Sequence, residues 1–166
     1  MKGGIDDIRQ VLAAIRRSGV KEHYLHCDAA LFGMILPYTH PRLQPNFQYA
    51  IDSIAVSGHK FIGSPFPYGV VLVRKAHVQK IARRIEYVGA IDTTIAGSRS
   101  GHAPLLLWYA IRKRGNAGFR KEARCCLKNA EVFRAHLSRA GYPVFRNTGS
   151  IIVLFKKPAL LSVKLF

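Results

Sequence analysis

The sequence predicts an α/β fold, and three observations carry that prediction. Short apolar runs of strand length, at 23–25, 51–56 and 69–74, follow a segment whose apolar residues Ile5, Ile8, Val11, Leu12 and Ile15 recur at helical spacing. Two of these runs lead into small or polar residues, Asp28-Ala29-Ala30 and Ser57-Gly58-His59-Lys60, as strand ends that meet a ligand do in such folds. The chain has 166 residues, about half of them apolar (49%), which is enough for one real core and too apolar for a disordered chain.

Taken in order, the first helix is expected over 5–18, with Gly19 at its C-terminal stop. A strand follows and ends at Asp28-Ala29-Ala30. Residues 32–45 read as loop, because Pro37, Pro41 and Pro45 break any period. A second strand covers 51–56, a Gly/Pro-rich turn 60–68 and a third strand 69–74. The short connection between the last two predicts a hairpin-like return, hence one antiparallel member in the sheet. Residues 78–85 are expected to be helical, and 86–99 irregular. Pro104 is expected in the first turn of a helix through Trp108 and Ile111, punctuated by Gly115 and Gly118. Residues 119–140 predict a long amphipathic helix with Cys126, Ala130, Phe133 and Leu137 on one face. Gly141-Tyr142-Pro143 ends it, and 144–145 and 150–155 predict strands of a separate layer. No internal repeat is visible.

Bulk properties narrow the function. No apolar run reaches the ~20 residues of a membrane helix, and the N-terminus lacks a signal peptide's apolar stretch. A cytoplasmic protein without membrane attachment is expected. The three cysteines, Cys27, Cys125 and Cys126, make neither a disulfide framework nor a metal pattern. His23, His26 and Cys27 could be imagined on zinc, but neighbours on a strand point to opposite faces and no second ligand pair follows, so no metal is expected. The formal charge of +17 raises a nucleic-acid partner on electrostatic grounds. The basic residues are scattered, on segments that read as solvated helix faces, and no nucleic-acid motif accompanies them. The weight falls against nucleic acid.

The chemistry gathers at Asp28 and Lys60. An aspartate after a strand is commonly a turn or cap residue, and a lysine there commonly faces solvent. Together at neighbouring strand ends they suit pyridoxal phosphate, which needs a lysine amine to hold it and an acid to keep its ring nitrogen protonated. Ala30, on the same face as Asp28, leaves space for a flat ring. Ser57 and His59 flank the lysine and can meet a phosphate. Gly97-Ser98-Arg99-Ser100-Gly101 is a second possible anion cradle. The stretch 58–64 is not a nucleotide P-loop, because its lysine precedes the second glycine.

These residues also carry a family resemblance. His26-Cys27-Asp28-Ala29-Ala30-Leu31-Phe32-Gly33-Met34-Ile35-Leu36-Pro37 resembles the pyridine-binding strand of group II pyridoxal-dependent amino-acid decarboxylases. Ser57-Gly58-His59-Lys60-Phe61-Ile62-Gly63-Ser64-Pro65 is similar to their cofactor-lysine segment, and the histidine and serine decarboxylase branch also carries relatives of 92–104 and of Leu107-Trp108-Tyr109. The resemblance runs from residue 1 to 158. It implies part of the large domain of the type I pyridoxal-phosphate fold, with a mostly parallel sheet, over 1–118, and the start of a small α+β C-terminal domain over 119–166. It implies pyridoxal phosphate bound through Lys60, with Asp28 on the pyridine nitrogen, Ala30 against the ring, and Ser57 and His59 near the phosphate. Tyr87 is implied as the loop acid that protonates after carbon dioxide leaves, and Ser98 and Arg99 as phosphate contacts across a homodimer interface. The substrate is then a small amino acid, with L-histidine to histamine and carbon dioxide favoured over serine.

The chain also departs from the family. Its ring-stacking histidine and main phosphate-binding loop would precede Met1, most of the C-terminal domain would follow, and 159–166 do not resemble it. A truncated decarboxylase is therefore expected, with part of its pocket wall missing and apolar faces uncovered. The alternatives are an inactive remnant that pairs with a complementary fragment, and a basic nucleic-acid-binding protein.

Overall fold

The computed structural model describes residues 2–85, 89–93 and 98–157. Helix α1 spans Ile8–Arg17. It starts later than its period predicts, because Asp7 takes the N-cap and accepts the Arg9 amide at 3.0 Å. Arg16 and Arg17 sit favourably at its C-terminal, negative end. Ile8 turns inward with Leu12 onto a core of Cys27, Ala29, Ile51 and Ile54.

The first sheet has the order β1 (His26–Asp28), β2 (Ser53–Ser57), β3 (Gly69–Val73). The strand expected at 23–25 begins instead at His26, the first residue with a ladder partner, Ser53. Leu25 is held from the side: its amide donates to Asp52 Oδ2 at 2.7 Å and its carbonyl accepts from the Asp52 amide at 3.0 Å. β1 and β2 are parallel, with Asp28 opposite Ala55. β3 returns antiparallel to β2, as the short connection predicts.

The stretch 32–45, expected as loop, holds one helical turn, α2 (Leu36–Thr39), with Pro37 near its start; the helix expected at 78–85 is α3, Lys75–Ile81. Ala82 turns extended (φ −61°, ψ 128°), and β4 (Arg83–Ile85) pairs antiparallel with β5 (Ala90–Asp92). α4 runs His102–Arg139 with Pro104 in its first turn; it kinks at Gly115 (φ 56°, ψ −174°) and stays helical through Gly118. β6 (Val144–Phe145) and β7 (Leu154–Phe155) form a third small sheet, so the strand expected from 150 is confined to its last two residues. The architecture is thus mixed α/β, but the mostly parallel sheet expected from the resemblance is not seen: among the described residues only β1 and β2 run parallel. A parallel pair needs a crossover for each strand added, and this stretch contains one such crossover, between β1 and β2.

A second core joins the elements around the strand ends. Ile35 follows Asp28, Phe61 follows Lys60, and both pack with Phe119 and Ala123 of α4. Phe119 lies 6.0 Å from the Phe61 ring and 6.4 Å from Tyr38, whose hydroxyl donates to Asn116 at 3.0 Å.

Two arginines are spent inside the fold. Arg74 donates to the carbonyls of Ile51 (2.6 Å), Tyr49 (2.7 Å) and Phe47 (3.1 Å). Arg146 donates to the Ser150 carbonyl at 2.6 Å and to Glu131 at 2.7 Å. Among the described residues no helix is long and apolar enough to cross a membrane, and no cluster of three or more His, Cys, Asp or Glu side chains is placed for a metal ion.

Candidate active site

The two strand ends meet because the parallel ladder continues past the strands proper. Ala29 donates to the Ala55 carbonyl at 2.9 Å, and the Ser57 amide donates to the Ala30 carbonyl at 3.0 Å. Burial on β1 alternates, with Cys27 buried between exposed His26 and Asp28. Burial pushes the Cys27 thiol up, which keeps it a neutral core group. His26 Nδ1 and Ser53 Oγ share a 2.6 Å hydrogen bond, so this histidine already has a sheet partner.

Asp28 ends β1 and accepts the Ala30 amide on Oδ1 at 3.1 Å. This is the turn role common for an aspartate after a strand, and it fixes the carboxylate beside Ala30. Lys60 sits in a tight turn after β2. Its carbonyl accepts from Gly63 at 3.0 Å, Ser64 donates to Gly58 at 2.9 Å, and Gly58 donates to Tyr68 at 2.8 Å. Gly58 is obligatory here, since a Cβ would run into the Tyr68 ring. From the other side Arg114 of α4 donates to the Ile62 carbonyl at 2.7 Å. The turn is therefore held by the strand, by its own backbone and by α4.

Asp28, Ala30 and Lys60 line one cleft of about 360 Å³, together with Lys2, Gly3, Gly4, Leu31, Phe32 and Ile152. The volume lies within the roughly 300–1,000 Å³ usual for small-molecule sites. The donor set suits pyridoxal phosphate: an amine to hold the aldehyde carbon, a carboxylate for the ring nitrogen, a methyl-sized side chain at ring level and a second lysine for an anionic group.

The other expected residues do not line this cleft. Ser57 is half-buried at the end of β2, and His59 is exposed in the turn. Ser98 and Arg99 are exposed ahead of α4, while Gly97 of the same cradle and Tyr87 lie outside the described residues. Sequence reasoning missed the wall made by Lys2, Gly3, Gly4 and Ile152. The Gly3-Gly4 pair just before a capped helix was the one available signal, a place where backbone can approach closely.

The chain is similar to several known proteins. The chain is 40% identical over 159 residues to serine decarboxylase 1 of Oryza sativa subsp. japonica, covering 95% of this chain and 33% of that protein. It is 42% identical over 161 residues to histidine decarboxylase of Morganella morganii, covering 96% of this chain and 43% of the relative. It thus spans about a third of the length of the first and less than half of the second. Among solved structures, glutamate decarboxylase of Lactobacillus brevis superposes with a TM-score of 0.79 at 22% identity, over 93% of this chain and 37% of that one. L-methionine decarboxylase of Streptomyces sp. 590 superposes with 0.71 at 25% identity, over 96% and 42%. The model of the pyridoxal-dependent decarboxylase conserved domain matches residues 1–156, and the chain belongs to that family of amino-acid decarboxylases.

Proposed function

We propose that this chain carries the cofactor-holding part of a pyridoxal-phosphate-dependent decarboxylase acting on L-histidine or L-serine, with L-histidine favoured. The observation that carries the reading is the single cleft shared by Lys60, Asp28 and Ala30. Similarity to serine and histidine decarboxylases supports the substrate class. When bound, the cofactor supplies the electron sink that makes loss of an α-carboxylate feasible. Lys60 would hold it through Nζ. The Asp28 carboxylate keeps a proton on the ring nitrogen, and Ala30 leaves the ring face open. Ser57 and His59, which flank Lys60 but lie outside the lining of the cleft, would serve the phosphate from beside the lysine turn; Ser98 and Arg99 would do so across a homodimer interface, and Tyr87 would be the proton donor. The same reading seats a second copy of the chain on the exposed apolar row Leu105, Trp108 and Tyr109.

The test is direct. Pyridoxal phosphate plus borohydride should leave a mass adduct that maps to Lys60 and is lost in Lys60→Ala. An adduct spread over surface lysines, unchanged in Lys60→Ala, overturns the site. Carbon dioxide release from L-histidine set against L-serine identifies the substrate.

A further inference from the structure

The cleft has two walls of different origin. One is the strand-end wall, Asp28, Ala30 and Lys60, built on β1 and β2. The other is the strap Lys2-Gly3-Gly4, which enters α1 and has no strand of its own. Its position is fixed from the far end of the sequence. Asn147 Nδ2 donates to the Lys2 carbonyl at 2.8 Å. Gly3 has a φ of +66°, and a Cβ there would strike Ser150 Oγ and come within 2.9 Å of Ile152 Cβ. Ser150 is fully buried, and its Oγ accepts the Ile152 amide at 3.0 Å. Behind it, Arg146 holds the Ser150 carbonyl at 2.6 Å and reaches Glu131 of α4 at 2.7 Å. Ile152, the last link, lines the cleft itself.

From these contacts we infer that Asn147 is a positioning residue for the cofactor cleft: it holds the Lys2-Gly3-Gly4 strap at the width that a flat anionic ligand needs against Lys60. The inference rests on the proposed use of Lys60. Asn147 touches neither the ligand nor the lysine; it acts through the strap carbonyl. The segment after α4, 146–152, therefore completes the site rather than merely following it. Without the amide donor the strap keeps only its contacts with Ser150 and Ile152, so the cleft widens and its wall loosens.

The experiment uses the full chain and two readouts. Borohydride trapping at Lys60 is titrated with pyridoxal phosphate, and backbone amide exchange is followed in the peptide covering 2–7 without cofactor. Asn147→Asp, which keeps shape and loses the donor, should need about three- to ten-fold more pyridoxal phosphate for half-trapping, the effect of one hydrogen bond. Its 2–7 peptide should exchange faster, with an unchanged rate in β2. Asn147→Gln, which retains an amide donor, should stay closer to the parent protein. Gly3→Ala should weaken trapping from the other side of the strap, and it serves if Asn147→Asp folds poorly. Faster exchange with an unaltered titration in both variants overturns the inference and leaves Lys60 standing. Unchanged exchange in Asn147→Asp overturns it as well. Absence of any Lys60 adduct in the parent protein is a separate result, which sinks the reading of the site and this inference with it.

Discussion

At the scale of single residues, Asp52 shows how one carboxylate sets the fold beneath the site. It accepts the Leu25 amide, and His77 Nε2 lies 2.7 Å from its other oxygen. Those two bonds, the backbone one first, hold its carboxyl below the usual aspartate value. A depressed folded pKa gives stability that is present above the unfolded value, ~3.9, and is lost as pH falls through the lower folded value. Asp52→Asn should therefore cost about 1–3 kcal/mol at neutral pH, as expected for a charge-assisted bond, and flatten the acid side of a urea-midpoint profile. Asp7 and Glu131, held low chiefly by side-chain bonds to Arg9 and Arg134, add acid-side slope to both proteins. Only the difference counts, and identical slopes would remove Asp52 from the account. That Asp28 and Lys60 stand at strand ends was legible, because residue type after a strand-length run is local information. Asp52 was not, since an aspartate inside an apolar run declares no partner.

At the scale of elements, Phe119 decides whether the two loops are held. It is 2% exposed and contacts Phe61 from the lysine turn and Tyr38 from the segment after Asp28. Phe119→Ala should cost about 3–5 kcal/mol and abolish selective trapping at Lys60. Phe133→Ala, on the same helix but 48% exposed, should cost less than about 1 kcal/mol. Equal losses in denaturant titrations would mean that α4 does not buttress the site through Phe119. Helical spacing revealed α1 and the second half of α4, and chain spacing revealed the β2–β3 return. The start of β1 and the end of α3 escaped, because hydrogen bonding to Ser53 and to the β5 strand sets them, rather than any period within their own residues.

At the scale of the molecule, much apolar surface faces outward. Leu105 (58%), Trp108 (59%) and Tyr109 (51%) form one exposed row on α4, and Val71 and Leu72 of β3 are also exposed. On the proposed reading, such a face is where a second copy would sit. Trp108 is the one tryptophan of the chain and reports on it. If a second copy covers the row, Trp108 emission should shift to shorter wavelength and resist acrylamide quenching as the protein is concentrated. Emission that stays solvent-like at every concentration rejects that seat for the partner. The sequence by itself determined the α/β class, the helical stretches, the antiparallel return and the family, because residue type, periodicity and ordered motifs are properties of neighbours in the chain. Only the tertiary structure decided that, among the described residues, parallel pairing is confined to one strand pair, and that residues 2–4 and Ile152 close on the Asp28–Lys60 cleft. Those contacts, through Asn147 and Ser150, join segments 145 residues apart in the sequence, and no local pattern records such a meeting.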